Sequence, residues 1–234
     1  MFMRAGRCPE PMGADSGHAA LMDSVYRRQR HVYDFTRKYY LFGRDQLIDM
    51  MQPEAGATIL EVGCGTARNL IRLAKRYPGR RLFGLDASET MLETAERAIE
   101  RAGLSGKIRL VHALAEDLNP GLFGEAAFDN IVFSYSLSMI PDWRQALCAA
   151  RGALSQRGHI HIVDFGDLKG LPRTVRAALF SWLMLFHVEP RIELLGALEK
   201  NAKESDIFQI LIWRYAFILT SKAGGLPAAT CVLP

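Results

Sequence analysis

Short apolar runs alternate with helix-like segments through the central part of the chain. The runs near 58–62, 81–86, 108–112, 128–134 and 158–165 predict strands, and the segments near 67–77, 89–102 and 142–154 predict helices. This alternation is typical of a parallel sheet whose strands are joined by crossover helices. Beyond residue 167 the pattern predicts two helices broken at Pro190, followed by a strand-like segment, "IFQILIWRYAFILTSK".

The length and composition favour one globular domain. The chain has 234 residues, of which 49% are hydrophobic, and this is enough for a sizeable core. We expect a disordered leader over 1–17, a single domain over 18–222 and a flexible tail over 223–234. Within the domain, 18–50 is predicted to be a helical membrane or lid element, 51–167 the cofactor-binding core, and 168–222 the substrate-side helices and final strands.

A glycine bend lies between the first predicted strand and the first predicted helix. Gly63 and Gly65 form it in "TILEVGCGTARNL", and Asp86 ends the next predicted strand. In such units the backbone turns tightly against a ligand while the acid accepts hydrogen bonds from ribose hydroxyls. Arg68 stands where a dinucleotide fingerprint needs a small residue, and Glu61 suits a ligand with an ammonium or sulfonium group. The predicted cofactor is S-adenosylmethionine, with S-adenosylhomocysteine as product.

Four stretches of the chain resemble the class I methyltransferases over roughly residues 45 to 165. They are "EVGCGTARNL", "LFGLDAS", "FDNIVFSYSLSMIPDW" and "LSQRGHIHIVDFGD". The resemblance implies an α/β, Rossmann-like fold, with a seven-stranded, mostly parallel sheet, helices on both faces and an added N-terminal amphipathic helix. It also implies the cofactor-binding residues Glu61, Gly63, Gly65, Asp86, Ala87, Ala115, Glu116 and Ser134. Leu114 stands where many relatives have an aspartate that contacts adenine.

The segment from Ser24 to Arg44 is basic and rich in aromatic residues. It contains six Lys or Arg residues against one acid, and Tyr26, Tyr33 and Tyr40 are spaced seven apart. On a helix this pattern predicts contact with an anionic membrane surface, and no recognisable nucleic-acid motif accompanies it. A second apolar block, "AALFSWLMLFHV", is too short to span a bilayer, which needs about 20 residues. It is either a core helix or a lid that admits acyl chains.

Residues 22 to 220 as a whole resemble the small bacterial phospholipid-type N-methyltransferases, and within them the betaine-lipid N-methyltransferases. The resemblance is carried by "YRRQRHVYDFTRKYYLFGRD", "EVGCGTARNL", "SYSLSMIPDW" and "VDFGDLKGLPR". It implies trimethylation of the amine of diacylglyceryl-homoserine, on the cytoplasmic face of the membrane. Three alternatives stay open: a phosphatidylethanolamine N-methyltransferase, a non-catalytic S-adenosylmethionine-binding module that docks on membranes, and an NAD(P)-dependent oxidoreductase.

The methyl-transfer chemistry suggests further candidate residues. Tyrosine faces stabilise quaternary ammonium groups, which makes Tyr33, Tyr40 and Tyr135 candidates for the headgroup site. His187 and Asp164 are candidate proton acceptors. An amino-acid headgroup also needs an arginine for its carboxylate, and the candidates are Arg37, Arg44 and Arg173. No metal site is predicted, and the sequence does not indicate the oligomeric state.

Overall fold

The computed structural model describes residues 41–184 and 192–223. These residues form six α-helices and seven β-strands, together with a short 3-10 helix at Pro120–Phe123. The elements are α1 (Arg44–Met51), β1 (Thr58–Val62), α2 (Arg68–Arg76), β2 (Arg81–Asp86), α3 (Glu89–Arg101), β3 (Ile108–His112), β4 (Phe128–Ser134), α4 (Trp143–Gly152), β5 (Leu154–Phe165), α5 (Arg173–Met184), α6 (Ile192–Asn201), β6 (Ile207–Leu211) and β7 (Ala216–Lys222).

The strands form a single sheet in the order β3-β2-β1-β4-β5-β7-β6. Strands β1 to β5 pair with one another in parallel, and β7 is antiparallel to both β5 and β6. The predicted seven-stranded, mostly parallel sheet is therefore confirmed. The strand β5 begins four residues earlier than predicted, because an irregularity in its pairing with β4 accommodates the extra residues.

The strand-like segment at 207–222 divides into two strands. Ile212, Trp213 and Arg214 all have positive φ, of 38°, 50° and 63°, so the chain reverses between β6 and β7. The apolar pattern continues through this turn, and for that reason the sequence did not reveal the break.

Two apolar layers cover the sheet. Successive residues of a strand point to opposite faces, so Ile59 packs with α1, α2 and α3, whereas Leu60 packs with α4 and α6. The central strand β1 is buried along its whole length. Such burial on both faces explains the continuous apolar runs in the sequence.

The carboxyl ends of β1, β2, β4 and β5 lie along one edge of the sheet, which we call the carboxyl edge. The strand β1 lies between β2 and β4, so the chain order reverses direction at β1. Ligands of open α/β sheets bind outside the carboxyl ends of the strands at such a switch point. None of the helices in the described ranges is long and apolar enough to cross a membrane.

Candidate active site

A cavity of ≈ 410 Å³ opens at the carboxyl edge beside this switch point. Its walls come from the bend after β1, the end of β2, the loop after β3 and the loop after β4. They also include Leu41 and Arg44, from the start of the described chain. The other residues that line it are Glu61, Gly63, Cys64, Gly65, Thr66, Arg68, Asn69, Leu85, Asp86, Ala87, Met91, Leu114, Ala115, Glu116, Ser134, Tyr135, Ser136, Met139, Ile140 and Pro141.

The bend after β1 requires glycine for two reasons. Gly63 and Gly65 have φ of 72° and 53°, in the left-handed region that side chains disfavour. A Cβ on Gly63 would also lie 2.5 Å from the Cβ of Ser136, in the loop after β4. The bend therefore lies closely against the neighbouring loop, and its backbone forms the floor of the cavity.

Asp86 fixes this bend from the next strand. Its Oδ2 accepts a hydrogen bond of 2.7 Å from the Gly65 amide, and its Oδ1 accepts one of 2.9 Å from the Ser88 amide. The carboxylate lines the cavity at the same time. A fixed carboxylate of this kind is the acceptor that ribose hydroxyls require.

Glu61 is a buried carboxyl group in the cavity wall. Its Oε1 accepts a hydrogen bond of 2.7 Å from Asn69 Nδ2, whereas its buried Oε2 meets no hydrogen-bond partner in the described part of the chain. Burial raises the pKa of Glu61 to about 8. A cation in the cavity would stabilise the ionised form, so the site fits the sulfonium and ammonium groups of S-adenosylmethionine.

The other predicted cofactor residues also line the cavity. Ala115 is buried and Glu116 is half-buried in the loop after β3, where partial burial raises the pKa of Glu116. The Ala87 carbonyl lies 2.8 Å from His112 Nε2, and the hydroxyl of Ser134 is buried at the end of β4. All eight predicted residues are thus assembled around one cavity, and their individual contacts with the cofactor stay predictions.

Tyr135 and Arg44 both line the cavity, and both bind the backbone of the 41–42 segment. Tyr135 has a φ of 56°, and its hydroxyl donates a hydrogen bond of 2.7 Å to the Phe42 carbonyl. Arg44 Nε donates to the Leu41 carbonyl at 3.3 Å. Burial raises the pKa of Tyr135 well above its usual value, so the ring stays neutral. We call this part, with Leu41, Met139 and Ile140, the substrate end.

Four predicted residues lie outside the described ranges: Tyr33, Arg37, Tyr40 and His187. Arg173 is described, but it is exposed at the start of α5 and is not among the residues that line the cavity.

Asp164 does not line the cavity either. It is fully buried on β5, where it accepts hydrogen bonds from the amides of Ser138 and Phe165. Burial raises its pKa to about 6. These contacts place Asp164 beneath the loop after β4. It therefore positions that loop, and its predicted role as a proton acceptor is corrected.

Sequence reasoning missed several residues of the wall. Asn69 belongs to the site because it donates a hydrogen bond to Glu61, and the sequence alone does not show that these two side chains meet. The apolar residues Met139 and Ile140 lie in the quoted "SYSLSMIPDW" stretch, but an apolar residue in a loop carries no signal that it faces a cavity. No group of three metal-ligating side chains occurs within 41–184 and 192–223.

Comparison with known proteins identifies the type of domain. Residues 59–158 match a protein-family model described as a methyltransferase domain. A demethylmenaquinone methyltransferase of Geobacillus kaustophilus is 33% identical over 123 residues, which are 52% of this chain and 50% of that protein. The chain therefore spans about half the length of the curated relatives it matches.

Two solved structures show the same fold. The match to the S-adenosylmethionine-dependent methyltransferase SibL covers 82% of this chain and 57% of the SibL chain, with 21% identity and a TM-score of 0.59. The match to an S-adenosylmethionine-dependent methyltransferase from Aquifex aeolicus covers 90% of this chain and 100% of the other, with 16% identity and a TM-score of 0.57.

These matches agree with the geometry of the cavity. Residues 59–158 match a methyltransferase domain, and the predicted α/β, Rossmann-like fold and the predicted cofactor, S-adenosylmethionine, are confirmed. The curated relatives are named for demethylmenaquinone and not for a betaine lipid. The comparisons thus support the general reaction and leave the finer prediction, the substrate, as a proposal.

Proposed function

We propose that this chain is a class I methyltransferase that methylates the amine headgroup of a membrane lipid at the cytoplasmic face of the membrane. The proposed lipid is diacylglyceryl-homoserine, which three methyl transfers convert to the betaine lipid diacylglyceryl-trimethylhomoserine. The observation that carries this proposal is the presence of Arg44 and Tyr135 together at the substrate end of the cavity. A guanidinium suits the headgroup carboxylate, and an aromatic ring suits the ammonium group.

The proposed reaction needs little from the protein beyond positioning. S-adenosylmethionine, when bound, would supply the methyl group: the N–C bond would form as the S–C bond breaks, and the products would be the methylated ammonium and S-adenosylhomocysteine. No covalent protein intermediate is required, so the residues act by holding two reactants in line and by excluding water. The headgroup ammonium must lose a proton before its nitrogen can attack. Water or a carboxylate of the cavity wall can accept that proton.

The curated relatives suggest a second candidate substrate, demethylmenaquinone. It is also a membrane amphiphile, but its ring carries neither a carboxylate nor an amine, so Arg44 would meet only neutral ring oxygens and no anionic group. Phosphatidylethanolamine is a third candidate, because its phosphate could also bind a guanidinium. A non-catalytic role in S-adenosylmethionine binding would show no turnover of any lipid.

The experiment that tests the proposal offers each lipid separately in detergent micelles with radiolabelled S-adenosylmethionine. We expect diacylglyceryl-homoserine to receive one, two and then three methyl groups, as resolved by mass spectrometry. Turnover of demethylmenaquinol or phosphatidylethanolamine, with none of the homoserine lipid, would reassign the substrate. Absence of turnover on all three, in protein that binds S-adenosylmethionine, would support the non-catalytic alternative.

Variants of the three candidate arginines refine the test. Of Arg37→Ala, Arg44→Ala and Arg173→Ala, we expect Arg44→Ala to lose the most activity on the homoserine lipid, because only Arg44 among the described candidates lines the cavity. Arg44→Lys should recover little, since an ammonium cannot bind a carboxylate in the same bidentate manner. Affinity for S-adenosylmethionine, measured by calorimetry, shows whether each variant still has an intact cofactor site.

A further inference from the structure

We propose that the turn between β6 and β7 inserts into an anionic lipid membrane, with Trp213 as the anchoring side chain. This inference rests on the proposed function, in which the substrate is a membrane lipid. It concerns residues 212–215, which we call the Trp213 turn. Neither the sequence patterns nor the comparisons assign a role to this turn.

Two large apolar side chains of the Trp213 turn are unusually exposed to solvent. Trp213 is 71% exposed and Ile212 is 48% exposed, although both are residues that proteins usually bury. Tryptophan is enriched at membrane interfaces, where its ring enters the acyl boundary and its indole N–H meets the headgroups. The turn therefore has the side chains of an interfacial anchor.

The backbone of the turn is strained and firmly held. Three successive residues without glycine, Ile212, Trp213 and Arg214, have left-handed φ values. Such strain persists only where the surroundings enforce it, and it is concentrated at functional sites. The Arg214 carbonyl accepts a hydrogen bond of 3.0 Å from the Leu168 amide, and a Cβ on Gly170 would lie 2.6 Å from the Trp213 carbonyl oxygen.

Arg214 fastens the turn to the rest of the domain. Its Nε donates to Asp167 Oδ1 at 2.7 Å, and its Nη2 donates to Glu199 on α6 at 2.9 Å. Asp167 is only 3% exposed, so this ion pair is largely shielded from solvent. The arginine next to Trp213 is thus fixed inward, and as a result the tryptophan is presented outward on a rigid support.

The charge beside the turn is complementary to an anionic membrane. The stretch Lys169–Arg176, "KGLPRTVR", contains three cations and no acid, and its Gly170 packs against the backbone of Trp213. Lys169 Nζ lies 3.3 Å from Asp167 Oδ2, so Arg173 and Arg176 supply most of the charge offered to a membrane. Lys169 and Arg173 are exposed. Basic residues near an anionic surface add to the binding energy of an apolar anchor. This complementarity indicates a lipid surface as the occupant.

The turn also lies on the correct side of the domain. Phe165 at the carboxyl end of β5 pairs with Ala216, the first residue of β7, so the turn projects from the carboxyl edge. Tyr215 packs edge to face with Phe42 at 5.6 Å, and the Phe42 carbonyl binds the Tyr135 hydroxyl at the substrate end. A membrane that receives Trp213 would face the edge where the cavity opens.

The test is co-sedimentation with vesicles of phosphatidylcholine, with and without phosphatidylglycerol. We expect Trp213→Ala to weaken binding to the anionic vesicles about tenfold, because a large apolar side chain is lost. The matched control is Ile207→Ala, a 45% exposed apolar residue at the other end of β6. Binding that is equally affected by both changes, or by neither, would overturn the proposal.

Charge variants give an independent arm. Arg173→Gln with Arg176→Gln should weaken binding only when phosphatidylglycerol is present, and the difference should shrink in high salt. The control pair is Lys107→Gln with Arg157→Gln, exposed cations away from the carboxyl edge. Equal losses from the two pairs would mean that overall charge, and not this surface, attracts the protein to the membrane.

Two further measurements separate the possible failures. Trp213→Ala should retain lipid methylation in detergent micelles, where no vesicle surface is needed. If vesicle binding survives the substitution, the inference is overturned while the proposed function stays intact. If wild-type protein methylates no lipid in micelles, the proposed function itself fails. Sedimentation analysis tests the remaining occupant: a dimer that Trp213→Ala converts to monomer would assign the turn to a second copy of the chain, against the proposal.

Discussion

The two ends of the cavity are built from contacts of very different sequence separation. At the cofactor end, the Gly65 amide binds Asp86 across 21 residues. At the substrate end, the Tyr135 hydroxyl binds the Phe42 carbonyl across 93 residues. The glycine bend and the acid of the cofactor end thus belong to a single strand–bend–helix–strand unit, whereas the substrate end exists only after distant segments have been packed together.

This difference in sequence separation affects how well each end tolerates substitutions. A local unit that binds a common cofactor leaves little freedom for substitution, because the same glycines and acid also shape the backbone. The segments around Leu41, Tyr135 and Tyr215 come from distant parts of the sequence and contain none of these glycines or the acid. Substrate preference can therefore change there without loss of the cofactor fold, in agreement with folds that host many chemistries.

The largest effect is expected from Gly63→Ala. The substitution combines a left-handed φ with a Cβ 2.5 Å from that of Ser136, so we expect it to destabilise the domain by about 3 kcal/mol or more and to abolish measurable cofactor binding. Thermal unfolding and calorimetric titration measure the two quantities.

Gly56→Ala is the matched control for this substitution. Gly56 has nearly the same φ, 76°, but an added Cβ would meet nothing within 4 Å. We expect a loss of only about 1 kcal/mol and unchanged cofactor affinity. If the two variants behave alike, the close approach of the bend to the loop after β4 is not essential.

The next effect concerns the acid that holds the bend. Asp86→Ala should weaken S-adenosylmethionine binding by about 1.5–3 kcal/mol, the range for hydrogen bonds to charged groups. Asp86→Asn should lose less, since its amide oxygen can still accept one hydrogen bond. Calorimetry with folded protein decides the matter, and an unchanged affinity in Asp86→Ala would show that another acid binds the ribose.

The cofactor end could be predicted from the sequence because its signals are local. Gly63, Gly65 and Asp86 stand at fixed positions relative to two apolar runs, and parallel pairing of β1 with β2 brings them together. Their spacing alone therefore located the cavity. Of the substrate end, Arg44 and Tyr135 were candidates, but nothing in the sequence indicated that the Tyr135 hydroxyl reaches the Phe42 carbonyl.

The Trp213 turn shows the same limit of prediction from sequence. Its reversal depends on the backbone of residues 166–170, on which it packs, and not on glycine or proline within the turn itself. Turn prediction relies on those residue types. A turn that is imposed by tertiary contacts therefore stays invisible until the structure is known.

A third prediction concerns the pH dependence of cofactor affinity. With a pKa of about 8, Glu61 is largely protonated at neutral pH in the absence of ligand. A bound cation favours the carboxylate, so binding releases a proton and the affinity rises as the pH increases toward 8. The rise is at most tenfold per pH unit, and above pH 8 it should level off.

Glu61→Gln serves as the control for this dependence. The glutamine can keep the hydrogen bond from Asn69 but cannot ionise. Titrations across the pH range should give a weaker affinity with a flatter profile. A wild-type affinity that falls between pH 6 and 8, or an equally steep profile in the variant, would exclude Glu61 as the group that titrates.

The smallest effect isolates the substrate end by comparing two tyrosines that each donate to a backbone carbonyl. Tyr135 donates to Phe42 at the substrate end, and Tyr77, which is not among the residues that line the cavity, donates to Ile48 in α1 at 3.0 Å. Each Tyr→Phe change should cost about 1 kcal/mol of stability and leave S-adenosylmethionine affinity unchanged. Only Tyr135→Phe should lower kcat/KM for the lipid, by about two- to tenfold, since it releases the Leu41–Arg44 segment from the wall of the cavity. Comparison of the two variants under identical assay conditions removes the shared stability loss, and equal activity in both would show that the substrate end does not depend on that long-range hydrogen bond.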